Sequence, residues 1–379
     1  MNSNTPPHSE PYCIGKKKVR NSNLELYRII VMLLIIAHHY VVNSGLIQVL
    51  GEEPLNVSST IMLLFGAWGK TGINCFVLIT GYFMCKSRFT WEKLWKLYLQ
   101  IFIYVFIIYL LFCITGHERF SVIKLLWTIW PIKSISSGFT SCFIIFYMFI
   151  PFLNIFLQSL DKKKHAHLLI LTILAFSVLP TVPVIRMSFN YVGWFMILYF
   201  IGAYIRTYGL TPRISHRMWG WLSLFFILIG SITVVGMTAL YKGNYISSHY
   251  PYFFISDSNK ILSLVIAISS FMYFKDIRIP YSRLINVLGG ATFGVLLIHA
   301  NSNTMRRWLW QEVVDCTGNY GEDVFFTLGY AILTVLLIFI VCAGIDWFRG
   351  KFIEPHLMKA ATSFLNFCRR KFDDNKLPD

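Results

Sequence analysis

The stretch "LYRIIVMLLIIAHHYVV", residues 26–42, is apolar enough to enter a bilayer, yet it carries Arg28, His38 and His39. A bilayer core of about 30 Å takes roughly 20 apolar residues of helix, and a polar group inside it is costly unless it finds a partner. Similar runs recur along the 379 residues, of which 56% are hydrophobic and 14% charged. Soluble domains carry roughly 25% charge, so a soluble protein is excluded. The expected fold is all-α: a polytopic membrane protein with about ten transmembrane helices. They lie near 26–46, 61–84, 95–115, 138–158, 166–185, 191–207, 218–240, 259–274, 284–304 and 323–348. Residues 121–132, "SVIKLLWTIWPI", are too short to span and are expected along the interface.

The net charge of +16 reads as topology rather than nucleic-acid binding. With the N-terminus inside, the outer segments hold Arg119, Lys124, Lys133, Arg186, Lys242, Lys260, Arg306 and Arg307. Arg28 and Lys70 lie within apolar runs, which leaves 24 of the 34 Lys and Arg in inner segments. This threefold bias supports both termini in the cytoplasm. Residues 1–21 lack the apolar core and cleavage site of a signal peptide and are expected to be a disordered cytoplasmic leader. A single membrane domain follows over 22–350, then a basic cytoplasmic tail over 351–379. The runs "DKKKH" (161–165) and "RRKFDDNK" (369–376) are read as solvated positive-inside charge. The eight cysteines fall mostly in apolar runs without CxxC pairing and are read as apolar fillers. No ligand spacing suggests a metal.

Within the first helix, Arg28 and His39 are eleven residues apart, about 20° past three whole turns, so they share one stripe, with His39 about 16 Å deeper. Glu25, three residues before Arg28, is within ion-pairing reach. His38 points about 100° away from His39 and is expected to differ in role. A snorkelling arginine and an interhelical histidine hydrogen bond would satisfy these groups. A stripe of acid, arginine and histidine equally fits a substrate or proton path, in which neutral imidazole takes a proton from a hydroxyl near neutral pH. Lys70, in the outer half of the second run, either faces a cavity or snorkels outward.

These residues carry a resemblance. "NLELYRIIVMLLIIAHH" (23–39) resembles the opening motif of the acyltransferase 3 family of integral-membrane O-acyltransferases, an acid with arginine three on and histidine eleven further, with Glu25 where Asp is more usual. "GKTGINCFVLITGYFM" (69–84) is similar to the family's glycine-to-phenylalanine run, with Thr80 in place of serine. "YMFIPFLNIFL" (147–157), "YFIGAYIR" (199–206) and "ATFGVLLIHANSNTMRRWLW" (291–310) resemble its shorter, polysaccharide-modifying branch, which has no appended soluble domain. The resemblance covers roughly 22–350.

It implies a multi-pass acyltransferase of the bacterial inner (cell) membrane. Such an enzyme moves an acyl group, usually acetyl, from cytoplasmic acetyl-CoA as co-substrate to a hydroxyl of a surface or lipid-linked glycan, as in O-acetylation during polysaccharide biosynthesis, with no metal. By this likeness His39, Glu25 and Arg28 are catalytic. Arg28, Lys93 and Lys96 would hold the CoA phosphates, the two lysines standing where many members have Arg-x-x-Arg. His299, Asn301, Arg306 and Lys70 are candidates for substrate binding. Ala300 replaces an aspartate common after the family's histidine, which removes an orienting carboxylate, so no second catalytic dyad is built on His299. The expected partners are membrane lipids and the glycan, with no nucleic acid; oligomeric state stays open, a homodimer included. The rival reading is a glycan exporter or transporter without acyl-transfer chemistry, against which stands the lack of matched broken helices in two halves.

Overall fold

A computed structural model describes residues 21–360 and 363, apart from 131, 133–137, 184, 186–189, 212 and 322. The leader over 1–20, the tail beyond 363, and Lys133 and Arg186 of the charge bias lie outside the described residues. Every regular element among the described residues is helical. In chain order these are α1 (Ser22–Val42), α2 (Leu46–Glu52), α3 (Val57–Phe65), α4 (Gly69–Met84), α5 (Trp91–Ile114), α6 (Val122–Ile129), α7 (Phe139–Gln158) and α8 (Lys162–Ile173). They continue as α9 (Leu179–Thr181), α10 (Tyr191–Tyr208), α11 (His216–Lys242), α12 (Ile261–Asp276), α13 (Arg283–His299), α14 (Asn303–Arg307) and α15 (Val324–Phe348). The last helix runs on through a π-helical turn, Arg349–Ile353, to residue 360, past the boundary at 350 read from the sequence.

Seven helical stretches are long and apolar enough to cross a bilayer, or eight if α13 and the segment Asn303–Val313, bent by 95°, count as one. The difference from ten lies in three segments. The apolar runs near 191–207, 259–274 and 284–304 become helices of 18, 16 and 17 residues. At about 1.5 Å per residue the two shorter ones reach most but not all of a core of about 30 Å, and α10 is diluted by tyrosines and a tryptophan. The second run is also not one straight helix. It breaks at residues 66–68 between α3 and α4, where the His38 ring Nδ1–H donates to the Gly66 carbonyl over 2.6 Å.

The core forms around α1, which packs on α13, α4, α15 and α12 and buries Leu24, Tyr27, Val31, Met32, Ile35 and Ile36. The α4–α10 crossing is close because both helices present glycine. A Cβ on Gly202 would sit 2.7 Å from the Leu78 carbonyl oxygen, and one on Gly81 would sit 2.9 Å from the Tyr199 backbone. Such small-residue contacts let helices pack by dispersion where lipid offers no hydrophobic drive. Polar pins add specificity: Trp194 Nε1 donates to Asn74 Oδ1 (2.9 Å) and Asn74 Nδ2 to the Ser258 carbonyl (2.6 Å).

Helix α5 is joined to the bundle through a buried polar knot. Asp346 Oδ1 accepts from Gln100 Nε2 (3.0 Å), the Tyr104 hydroxyl (2.8 Å) and Arg349 Nε (3.0 Å). Arg349 also donates to Glu354 (2.7 Å), which pairs with Lys96. The short α6 does not lie flat beside α5, as expected of an interfacial helix, but runs back along it. Tyr109 bonds Ser121 at its start and the Tyr98 hydroxyl donates to the Ile129 carbonyl at its end (2.7 Å). Those two tyrosines are eleven residues, or about 16 Å, apart on α5.

Two outcomes follow. Gly202→Val should force α4 from α10 and abolish a monodisperse peak in detergent, whereas Gly193→Ala, which faces open space on the same helix, should elute and melt like wild type. Asp346→Ala strips Arg349 of one of its buried partners and should cost about 3–5 kcal/mol in equilibrium unfolding; a change below about 1 kcal/mol, the level of exposed pairs, would show that the knot is water-filled.

Candidate active site

The stripe on α1 folds as its spacing requires. Arg28 Nη1 lies 3.1 Å from Glu25 Oε1 and 3.3 Å from Oε2. Glu25 is buried against Gly289 of α13, where a Cβ would sit 2.6 Å from its Oε2. The glycine therefore makes room for the carboxylate, and the carboxylate holds the arginine. His38, pointing elsewhere, is used in the α3–α4 break. A Cβ on Gly69 would touch its ring at 2.4 Å, so this histidine is tightly packed, although it shares a cavity with His39.

His39 lines a cavity of about 610 Å³ with Ile35, Val42 and Asn43 of the α1 end, Lys70, Ile73 and Phe76 of α4, Ile101 and Val105 of α5, and residues 138–141 before and within α7. His38, Gly69, Tyr191, Leu296, Leu297, Ala300, Asn301 and Arg306 complete the wall. No acidic side chain is among these lining residues. Lys70 thus faces the cavity rather than snorkelling, and its ammonium donates to the Tyr191 hydroxyl (3.1 Å). Arg306 Nη1 donates weakly to Asn303 Oδ1 (3.4 Å), while its buried Nε has no hydrogen-bond partner among the described residues. Asn301 Nδ2 caps the Leu297 carbonyl (3.0 Å).

His299 is placed differently from the sequence reading. It is fully buried and does not line the cavity, standing behind His39 with its Nε2 3.0 Å from His39 Nδ1. Of the four residues expected at the substrate, Asn301, Arg306 and Lys70 line the cavity and His299 does not. Nor are the three cations expected at CoA phosphates part of this wall. Arg28 is paired with Glu25, Lys93 Nζ donates to Ser87 Oγ (3.0 Å) and the Arg88 carbonyl (2.9 Å), and Lys96 pairs with Glu354. The sequence reading missed Tyr191 and the Asp346–Arg349–Glu354 knot. An acid inside the last apolar run, with arginine three residues on, was the available signal for the knot.

A second cavity of about 460 Å³ adjoins the first, sharing Val105 and Asn301. Tyr109, Phe112 and Trp127 give it aromatic surface, and Glu118, Lys124, Asn303 and Thr304 give it hydrogen-bonding groups. Glu118 pairs with Lys124 and accepts from the Thr304 hydroxyl, tying the α5–α6 connection to the 301–304 turn. The hydrogen bond from Lys124, then that from Thr304, holds the Glu118 carboxyl below the usual glutamate range.

Fold and site together define a polytopic helical membrane protein with a chamber lined by two histidines, His38 and His39, and two cations, Lys70 and Arg306. A family profile described as an acyltransferase domain matches residues 21–347, and the chain belongs to the acyltransferase 3 family. Neither a curated protein nor a solved structure matches it. It is a membrane acyltransferase.

Proposed function

We propose that the chain is an O-acetyltransferase of a bacterial inner membrane, with ten passes and both termini in the cytoplasm, that moves acetyl from acetyl-CoA to a hydroxyl of a surface or lipid-linked glycan. The observation that carries this reading is the meeting of His39, Lys70 and Arg306 in one chamber without a lining carboxylate. A base beside two cations suits a reaction in which a hydroxyl loses a proton as an oxyanion forms.

In this reading His39 removes the proton of the acceptor hydroxyl as its oxygen attacks the thioester carbonyl. The carbonyl pair moves to oxygen, and Lys70 and Arg306 stabilise that charge. The intermediate collapses with loss of the thiolate, which takes the proton from the His39 imidazolium and leaves as free thiol. The donor reaches the chamber from the Arg28 end of α1, its phosphates held by Arg28, Lys93 and Lys96; the lysines must then exchange their present partners for phosphate. The neighbouring aromatic and polar cavity at the other end of α5 is suited to the acceptor. Aromatic faces with amide and hydroxyl groups can stack on and hydrogen-bond a sugar, and its shared wall at Asn301 leads to His39.

Mass spectrometry of the host's surface glycan tests this. Deletion of the gene should remove an ester-sized mass that His39→Ala fails to restore at normal protein level. If His39→Ala restores it, His39 is not the base; if deletion lowers glycan amount and leaves its ester content unchanged, export replaces acyl transfer. Lys70→Met should lower the transfer rate about 10²–10³-fold, the worth of one oxyanion donor, with an unchanged KM for acetyl-CoA in membrane vesicles.

A further inference from the structure

The histidine pair carries an inference about proton placement that rests on the acyl-transfer reading. His299 Nδ1 lies 2.6 Å from the Val295 carbonyl oxygen, one turn earlier on α13. A carbonyl only accepts, so this nitrogen carries the hydrogen. In neutral imidazole the other nitrogen is then unprotonated, and His299 Nε2 is an acceptor. Its partner at 3.0 Å is His39 Nδ1, which must therefore donate. His39 Nε2 is left without a proton and makes no hydrogen bond among the described residues. We infer that His299 is a positioning residue that fixes His39 in its Nδ1–H tautomer and turns a bare Nε2 toward the cavity.

The alternatives are worse. The opposite His39 tautomer would set two lone pairs against each other at 3.0 Å. A doubly protonated His299 could donate both ways, but it would be a fully buried cation with no carboxylate among its hydrogen-bond partners, a costly arrangement. The ring is also held in place: Trp310, itself fully buried, meets it edge-on with centroids 6.5 Å apart. His299 thus does for His39 what a carboxylate does in many catalytic dyads, orienting the ring and choosing its tautomer. It does so without adding negative charge to a chamber whose cations are needed for an oxyanion. As His39 takes the hydroxyl proton on Nε2, its bond to His299 becomes charge-assisted and stronger.

The test uses purified full-length protein with ¹⁵N-histidine in nanodiscs, the His39 signals being assigned by their loss in His39→Gln. The expected spectrum shows a protonated Nδ1 and a bare Nε2 for His39; a protonated Nε2 overturns the inference. His299→Leu should lose that tautomer bias and lower kcat for transfer of labelled acetyl to the glycan fraction about 10²-fold or more, with KM for acetyl-CoA unchanged. His299→Gln, which keeps an acceptor oxygen, should recover part of both. Wild-type kcat in His299→Leu while His39→Ala is inactive overturns the inference alone. Full transfer by both variants removes the reading beneath it, even where the tautomer is as expected.

Discussion

The structure depends on α1 lying so close to its neighbours that only glycine fits opposite its polar side chains. Glu25 sits on Gly289 of α13, the His38 ring on Gly69 of α4, and the same device recurs where Asp346 of α15 meets Gly294, whose Cβ would lie 2.1 Å from Oδ1. In each case the missing side chain supplies the volume for a charged or polar group inside the bundle. The group then finds its partner within the protein: Arg28 for Glu25, the Gly66 carbonyl for His38, and Arg349 for Asp346. Without such pockets these side chains would have to be accommodated in hydrocarbon at the cost that makes them rare there. The chamber around His39 is a product of the same packing, because α1 and α4 are fixed before any substrate enters.

Much of α1 was legible in the sequence because its chemistry is local. Helical periodicity alone placed Glu25, Arg28 and His39 on one stripe and set His38 apart, and the ion pair and the separate histidine partners agree with it. Lys70 was legible only as a choice between two orientations, since Tyr191, which holds it, is 121 residues away. The pairing of His39 with His299 could not be read at all. It spans 260 residues and depends on α13 ending at the level of His39, which no local pattern encodes.

The ten apolar runs show what counting by hydropathy leaves open. A run says that a segment is buried; it does not say that the segment is long enough to cross. Helix α10 is as buried as a soluble core, with Phe195, Leu198 and Tyr199 fully enclosed, and its apolar character serves neighbouring helices as much as lipid. The lysines of the "KLWK" segment show the same limit of local reading. Their charge fits a cytoplasmic phosphate site, but Glu354, the acid that engages Lys96, comes from the far end of the chain.

The bundle is also unequally stiff. Within their most apolar windows, α1 and the α3–α4 run are 56% and 61% buried, while α5 and α7 are 28% and 33% buried. The first pair is locked by glycine contacts that a slide of one residue would turn into clashes. The second pair is largely exposed on the outside of the bundle and is tied by side-chain hydrogen bonds, α5 through Gln100 and Tyr104 to Asp346 and α7 through Asn154 to Tyr199 and the Met84 carbonyl. One wall of the chamber therefore acts as an anvil holding the histidine still. The other is the side on which the membrane itself, through its thickness and lateral pressure, can set how wide the chamber stands.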